Sequence, residues 1–441
     1  MIKNIKKITG ISFLSLGSFY SYDKYNKYKH ENNIDNNEYD IGVIGGGIVG
    51  LATARQLKIN YPYKKMILLE KDNEFGSAQT GHNSGVIHAG MYYKPNSLKA
   101  KLCVKGAKLT YDYCDKKNIP YKKVGKLIVA KDNNEIENLK NIYERALVNK
   151  VVDVHYLKTE EEIKKVEPHC RGINAIHCKS TGIVDWKQVA NSYKDDFEKM
   201  GGITKTNHEV FHIKENKDNL LICSKNQKSI KVKHLITCAG IYSDRISFLT
   251  GCSKLPKMMP FRGEYLLLNS NKKHLINGNI YPVPDPRFPF LGVHFTPRLN
   301  GDIWLGPNAI MGFSREGYSY FDINLFDLFE QLTFSGFWNI ASKYTSFGIN
   351  EMYKSIIIKK QVEELQKYIP EITVDDVKRG PSGVRAQAVD ENGNLIEDFV
   401  FDNSKKNILH VRNAPSPGAT SSLAIAKIIA EKSDNLFNLK K

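Results

Sequence analysis

Gly45-x-Gly47-x-x-Gly50 joins a short apolar strand, Tyr39-Asp-Ile-Gly-Val-Ile44, to a helix-forming run that continues through Arg55. A chain that makes this turn has few folds open to it. Gly45 can take the tight turn, Gly47 lets backbone N–H groups approach a pyrophosphate, and Gly50 lets the helix lie close on the strand. The helix N-terminus then favours negative charge. Twenty residues beyond Gly50, the apolar run Lys65-Met-Ile-Leu-Leu ends in Glu70, placed to accept a ribose hydroxyl. The pattern predicts a dinucleotide site on parallel strands. Glu70 disfavours a 2′-phosphate but does not separate NAD from FAD. The same glycines would also serve plain strand–helix packing; their context and Glu70 favour the cofactor.

At 441 residues and 41% hydrophobic content, the chain can build two or more packed units. Seven cysteines, odd in number and without a C-x-x-C pair, point to neither a disulfide scaffold nor a zinc ribbon, and no metal site is expected. A reducing compartment fits this usage. The net charge of +17 is carried by scattered lysines, so a nucleic-acid partner is not expected. Residues 1–30 hold six lysines against one aspartate, flanking the apolar stretch Ile8–Tyr20, which is too short to span a bilayer. With the polar linker Glu31–Asn37, residues 1–36 read as a basic targeting segment, first as a mitochondrial presequence. A secretory signal, an interfacial anchor and a disordered basic tail are the alternatives.

Past Glu70 comes a loop rich in glycine and histidine, Ser77-Ala-Gln-Thr-Gly-His-Asn-Ser-Gly-Val-Ile-His-Ala-Gly90. Periodicity predicts helices over 97–118 and 135–149, a strand over 124–130, and a helix after Asp185, whose carboxylate can cap it. Strand-like runs between 210 and 237 end in Cys238-Ala-Gly240, so the chain returns to the first sheet and sets Gly240 beside the coenzyme. Residues 255–310 are rich in proline, aromatic and β-prone residues and predict a mixed or antiparallel sheet. Leu325, Phe326, Leu328, Phe329 and Leu332 follow helical spacing, read as a core helix pair in preference to a membrane-touching surface. Gly418-Ala-Thr420 feeds a last helix whose N-terminus can offer N–H groups to a carbonyl oxygen or an anion.

Four blocks carry a resemblance: Gly81–Gly90, Tyr281–Pro297, Gly380–Gln387 and His410–Pro417. On them, residues 39–441 resemble the D-amino-acid-oxidase-like FAD flavoproteins, within the branch that oxidises 2-hydroxy acids. The resemblance implies an α/β fold: a discontinuous Rossmann-like FAD-binding domain (37–120, 180–255, 375–441) and a substrate domain with a mixed or antiparallel sheet (121–179, 256–374). It implies FAD-dependent oxidation of L-2-hydroxyglutarate to 2-oxoglutarate. Electrons would pass to a membrane-linked acceptor, a quinone or an electron-transfer protein, in the mitochondrion, with possible peripheral contact at the inner membrane. The cofactor contacts expected are Gly45, Gly47, Gly50, Glu70, His82, Asn83, Ser84, Gly85, Gly240, Gly418, Ala419 and Thr420. An amine, amino-acid or glycerol 3-phosphate oxidoreductase of the same class is the alternative.

Oxidising a secondary alcohol requires an acceptor for the hydroxyl proton while hydride leaves the carbon. A neutral imidazole suits that role. His82, His88, His294 and His410 lie in the motifs; His294 is the first candidate and His88 its close rival. A dicarboxylate needs cationic grips, and the planar fork of arginine holds a carboxylate in two hydrogen bonds. Arg385 and Arg262 are the candidates, ahead of Arg287 and Arg412. Tyr92 and Tyr281 can serve as hydrogen-bond donors or as packing.

Overall fold

The computed structural model describes residues 33–285, 292–319 and 321–440. The targeting segment up to residue 32 and Arg287 lie outside the described residues. The first strand begins at Ile34, pairing with Ser229, and Asp35 forms an ion pair with Lys205 at 2.8 Å. The last residues of the expected linker therefore belong to the fold.

Ile41–Ile44 pairs in parallel with Met66–Leu69 on one side and with His234–Thr237 on the other. Ile203–Lys205 adds in parallel beyond Met66–Leu69, and Ile408–His410 beyond Leu235–Thr237. An antiparallel hairpin, Val210–Glu215 and Leu220–Ser224, extends the sheet. Side chains alternate between faces as a strand requires: Met66 and Leu68 join the helix-side core, whereas Ile67 and Leu69 join the opposite one. On the helix side, Ile48–Asn60 packs between Trp186–Lys199 and Ser422–Phe437. Ala52 and Ala54 on the first helix, and Ala424, Ala426 and Ala430 on the last, permit the close approach. Asp185 caps its helix as expected, accepting from the N–H groups of Lys187 and Gln188. Full burial of a leucine such as Leu57 contributes about 1.5–3 kcal/mol.

The larger sheet is mostly antiparallel. Lys126–Ala130 lies between Asn174–Cys178 and Asn279–Pro282, the latter pairing in parallel. His294–Pro297 follows at Asn279–Pro282, then Ile303–Gly306 and the long strand Lys257–Leu268. Val377–Val389 pairs along most of Lys257–Leu268. The segment expected to open the last nucleotide-binding stretch at 375 thus enters this sheet first and rejoins the other from Val400, where Val400–Lys405 pairs antiparallel with Ile408–Asn413. A third sheet combines Val86–Ile87, Gly182–Val184 and Tyr121–Lys122.

The apolar helical stretch departs from the core reading. It forms Leu325–Leu332 and Ser335–Ile356, and in the first of these the buried residues are Asp327 and Gln331. Leu325 is 78% exposed and Phe329 65%, and Phe326, Trp338, Ile349, Met352 and Ile356 are exposed with them. The cause is electrostatic. Asp327 accepts from the Arg315 N–H at 2.8 Å and forms an ion pair with Arg245, so the polar face turns inward. No helix among the described residues is long and apolar enough to cross a membrane.

Candidate active site

One cavity of about 810 Å³ runs from the glycine turn to the larger sheet, lined by Gly45, Gly47 and Glu70 at one end and by His88, His294, Arg385 and Tyr265 at the other. Gly45 has φ +110°, and a Cβ there would overlap the Cys238 carbonyl oxygen. A Cβ on Gly50 would overlap the carbonyl oxygen of Gly45. Gly50 does not line the cavity; it sets the helix against the turn, the role expected of the third glycine. Gly47 caps the helix and lines the cavity, and a Cβ there would meet only the Thr80 hydroxyl at ordinary contact distance.

Glu70 accepts from Gly46 N–H at 2.6 Å and Asp72 N–H at 2.9 Å. Burial raises its pKa and these two bonds oppose the rise. A carboxylate offers about four acceptor positions, so Glu70 retains capacity for a ribose hydroxyl. Thr80, which the sequence reading did not single out, accepts from Ile48 N–H at 3.0 Å and fastens the loop to the helix N-terminus.

The loop at 82–85 divides. His82 and Ser84 line the cavity, and His82 stacks on Tyr318 with centroids 4.0 Å apart. Asn83 also borders it, but its amide accepts from Gly85 N–H and donates to the Thr80 carbonyl, so the side chain holds the loop's shape. Gly85 faces away: its φ is +74° and a Cβ would strike the Arg298 guanidinium. Arg298 in turn donates to the Asn83 carbonyl at 3.0 Å, tying the larger sheet to this loop. Gly240, Gly418, Ala419 and Thr420 line the cavity as expected. The Thr420 hydroxyl accepts from His88 N–H at 3.1 Å, so the C-terminal loop also positions a candidate base.

The histidines separate by their partners. His410 does not line the cavity; Thr237 meets its Nδ1 at 2.7 Å and Thr250 its Nε2 at 3.0 Å, which occupies both nitrogens. His294 is buried on His294–Pro297, with Nδ1 3.0 Å from the Gly292 carbonyl and its ring stacked on Tyr281 at 4.0 Å. Burial, with Lys126 and Arg385 nearby, pushes its pKa down to about 3. Burial and then Lys126, His294, Arg385 and Lys99 hold His88 well below the usual range as well. Both imidazoles are therefore neutral near pH 7.

The arginines separate too. Phe261 opposes Arg385 across the strand pair, and Arg262 opposes Val384. Arg385 presents its surface to the cavity among Tyr93, Tyr265 and Tyr281, whose phenols burial keeps protonated. Arg262 borders the cavity, but its guanidinium forms an ion pair with Glu264 at 2.9 Å and donates to the Ser319 carbonyl. Its charge is already neutralised, against the expectation of a carboxylate grip. Arg412 is buried and bound to Asp402 and the Leu255 carbonyl. Tyr92 and Tyr281 sit behind the cavity wall, both with rings near Lys126. Lys126 escaped the sequence reading, although a lysine opening the apolar run Leu127-Ile-Val-Ala130 was its visible signal.

A family model described as FAD dependent oxidoreductase matches residues 40–432. The mitochondrial L-2-hydroxyglutarate dehydrogenase of Nematostella vectensis is 53% identical over 421 residues, covering 92% of each chain. The mitochondrial L-2-hydroxyglutarate dehydrogenase of Homo sapiens is 52% identical over 418 residues, covering 91% of this chain and 90% of that one. Among solved structures, the L-alpha-glycerophosphate oxidase of Mycoplasma pneumoniae with FAD bound shares the fold at TM-score 0.73 and 24% identity, over 91% of this chain and 95% of that one.

Proposed function

Since this chain belongs to the FAD dependent oxidoreductase family, we propose that it oxidises L-2-hydroxyglutarate to 2-oxoglutarate with FAD as cofactor. The observation that carries the reading is the single cavity that joins a dinucleotide turn to two neutral histidines and an arginine. The residues fit FAD: glycines whose Cβ atoms would close the turn, a buried Glu70 for the ribose, and the Gly418–Thr420 wall ahead of a helix N-terminus. When bound, FAD supplies the oxidant that accepts hydride from the substrate carbon.

The chain's own part is binding, orientation and proton removal. Arg385 holds a carboxylate through charge-assisted hydrogen bonds, its planar fork fixing the orientation. His294 or His88 takes the hydroxyl proton. Their low pKa values weaken either as a base, and a bound dicarboxylate raises both by bringing negative charge beside them.

The finer reading has three parts. The FAD domain comprises 34–120, 180–255 and 390–440, with the remainder as substrate domain, since Val377–Val389 joins the larger sheet. Electrons leave to a membrane-linked acceptor, and the exposed apolar side chains of Leu325–Leu332 supply a contact with that phase. The protein works in the mitochondrion, as its relatives' names state of them, against the inner membrane. The test is anaerobic: L-2-hydroxyglutarate added to the purified flavoprotein bleaches the flavin band near ~450 nm and the D-isomer does not. Bleaching by glycine or glycerol 3-phosphate in its place would overturn the substrate assignment.

A further inference from the structure

Lys126 opens a strand in which every residue is buried, and it is itself 2% exposed. Its Nζ lies 3.4 Å from Nδ1 of His88 and 3.9 Å from the centroid of the Tyr281 ring, with the Tyr92 ring at 5.4 Å. The titratable groups around it come from every neighbouring element. They are His88 from the loop after Val86–Ile87, His294 from its strand, Cys103 from Leu98–Lys117 and Cys178 from the adjacent strand. Arg385 and Lys99 add positive charge at His88. Burial brings the lysine down to about 8, so it is mostly protonated near pH 7.

An ammonium has donors only. A donor at His88 Nδ1 requires a lone pair there, which places the ring proton on Nε2. His294 is held the opposite way. Its Nδ1 faces the Gly292 carbonyl, an acceptor only, which places the proton on Nδ1 and leaves the lone pair on Nε2. The two rival histidines therefore have opposite tautomers at one cavity.

We infer that Lys126 is a positioning residue: by donating to His88 Nδ1 it makes His88 Nε2–H a hydrogen-bond donor to the substrate and leaves His294 Nε2 to accept the hydroxyl proton. The inference rests on the oxidation proposed above and divides its labour. The O–H proton would go to His294 Nε2, FAD when bound would supply the acceptor for the hydride released as the C–H bond breaks, and the carbon would become the ketone. His88 cannot serve as the base while Lys126 is charged.

Histidine-labelled holoenzyme provides a readout that needs no turnover. Two-bond 15N–1H correlations distinguish the tautomers, with His88→Gln and His294→Gln identifying the signals. The expected result is Nε2–H for His88 and Nδ1–H for His294, loss of the His88 pattern in Lys126→Met, and its retention in Lys126→Arg. In anaerobic flavin reduction, Lys126→Met raises the apparent Kd for L-2-hydroxyglutarate roughly tenfold or more. It also removes the fall in affinity expected of the parent enzyme as the pH rises through about 8; Lys126→Arg restores binding and holds it to higher pH. FAD content and melting temperature report whether each variant folds. His88 in the Nδ1–H form in the parent enzyme overturns the inference, as does a folded Lys126→Met with unchanged tautomer, Kd and pH profile. A parent enzyme that L-2-hydroxyglutarate does not bleach overturns the function instead, and the tautomer measurement remains decisive for Lys126.

Discussion

Arg385→Met tests the binding half of the mechanism most directly. Arg385 reaches the cavity from Val377–Val389, among three protonated phenols, with its side chain exposed along the cavity wall. A carboxylate about 4 Å from its guanidinium gains roughly 4 kcal/mol at an effective dielectric constant near 20. Stripping water from both charges offsets part of this, and charge-assisted hydrogen bonds typically retain about 1.5–3 kcal/mol net. That range converts to a loss of roughly 10- to 150-fold in affinity when the cation is removed. Arg385→Lys keeps the charge but loses the planar fork, so its loss falls near the lower end, about tenfold. The assay is the substrate dependence of anaerobic flavin reduction, which separates apparent Kd from the limiting rate. L-2-hydroxybutyrate, which lacks the distal carboxylate, locates the contact. If Arg385 holds the distal group, its removal weakens L-2-hydroxyglutarate alone; if it holds the carboxylate beside the hydroxyl, both substrates weaken equally. An Arg385→Met enzyme that keeps its FAD and binds both within twofold of the parent would refute the carboxylate grip.

Gly50→Val forces a branched side chain onto the Gly45 carbonyl, and overpacking of this kind costs about 1–3 kcal/mol or more; the expected product is a protein purified without yellow colour, and full FAD retention would contradict the packing argument. Leu325→Glu with Phe329→Glu, both on the exposed face, should leave flavin reduction by substrate unchanged while abolishing co-sedimentation with anionic phospholipid vesicles. Persistence of vesicle binding would remove that face from the membrane reading. His294 and His410 have folded pKa values of about 3 and about 4, below the unfolded value near 6.5. The unfolded state therefore binds more protons as the pH falls, so stability is full above about pH 7 and declines toward pH 4. At pH 5 each buried histidine costs about 2 kcal/mol relative to pH 8. Urea unfolding at the two pH values checks this, and a His294→Phe variant with an undiminished pH effect would count against it.

The dinucleotide turn was legible because its determinants are contiguous. A strand, three glycines, a helix and a carboxylate twenty residues on specify local backbone geometry, and local geometry follows from local sequence. The cap at Asp185 and the strands near 126, 220 and 235 were legible for the same reason: capping chemistry and side-chain period act over a few residues.

Direction was not legible. His294 and His410 both sit in apolar strands, yet one lines the cavity and the other is enclosed by two threonine hydroxyls contributed from residues 160 or more positions away. Arg262 and Arg385 lie on the same strand pair and both border the cavity, but Glu264 neutralises Arg262. The helix Leu325–Leu332 announced an apolar stripe, and the stripe would have suited a core as well as a surface. Asp327, drawn in by Arg245 and Arg315, decided which side faced out. The sequence by itself determined where backbone must turn, pair and approach a phosphate. Tertiary packing settled which side chains line the cavity and which partners they meet there, because a side chain's electrostatic partner is chosen by distance in space and distant segments supply it.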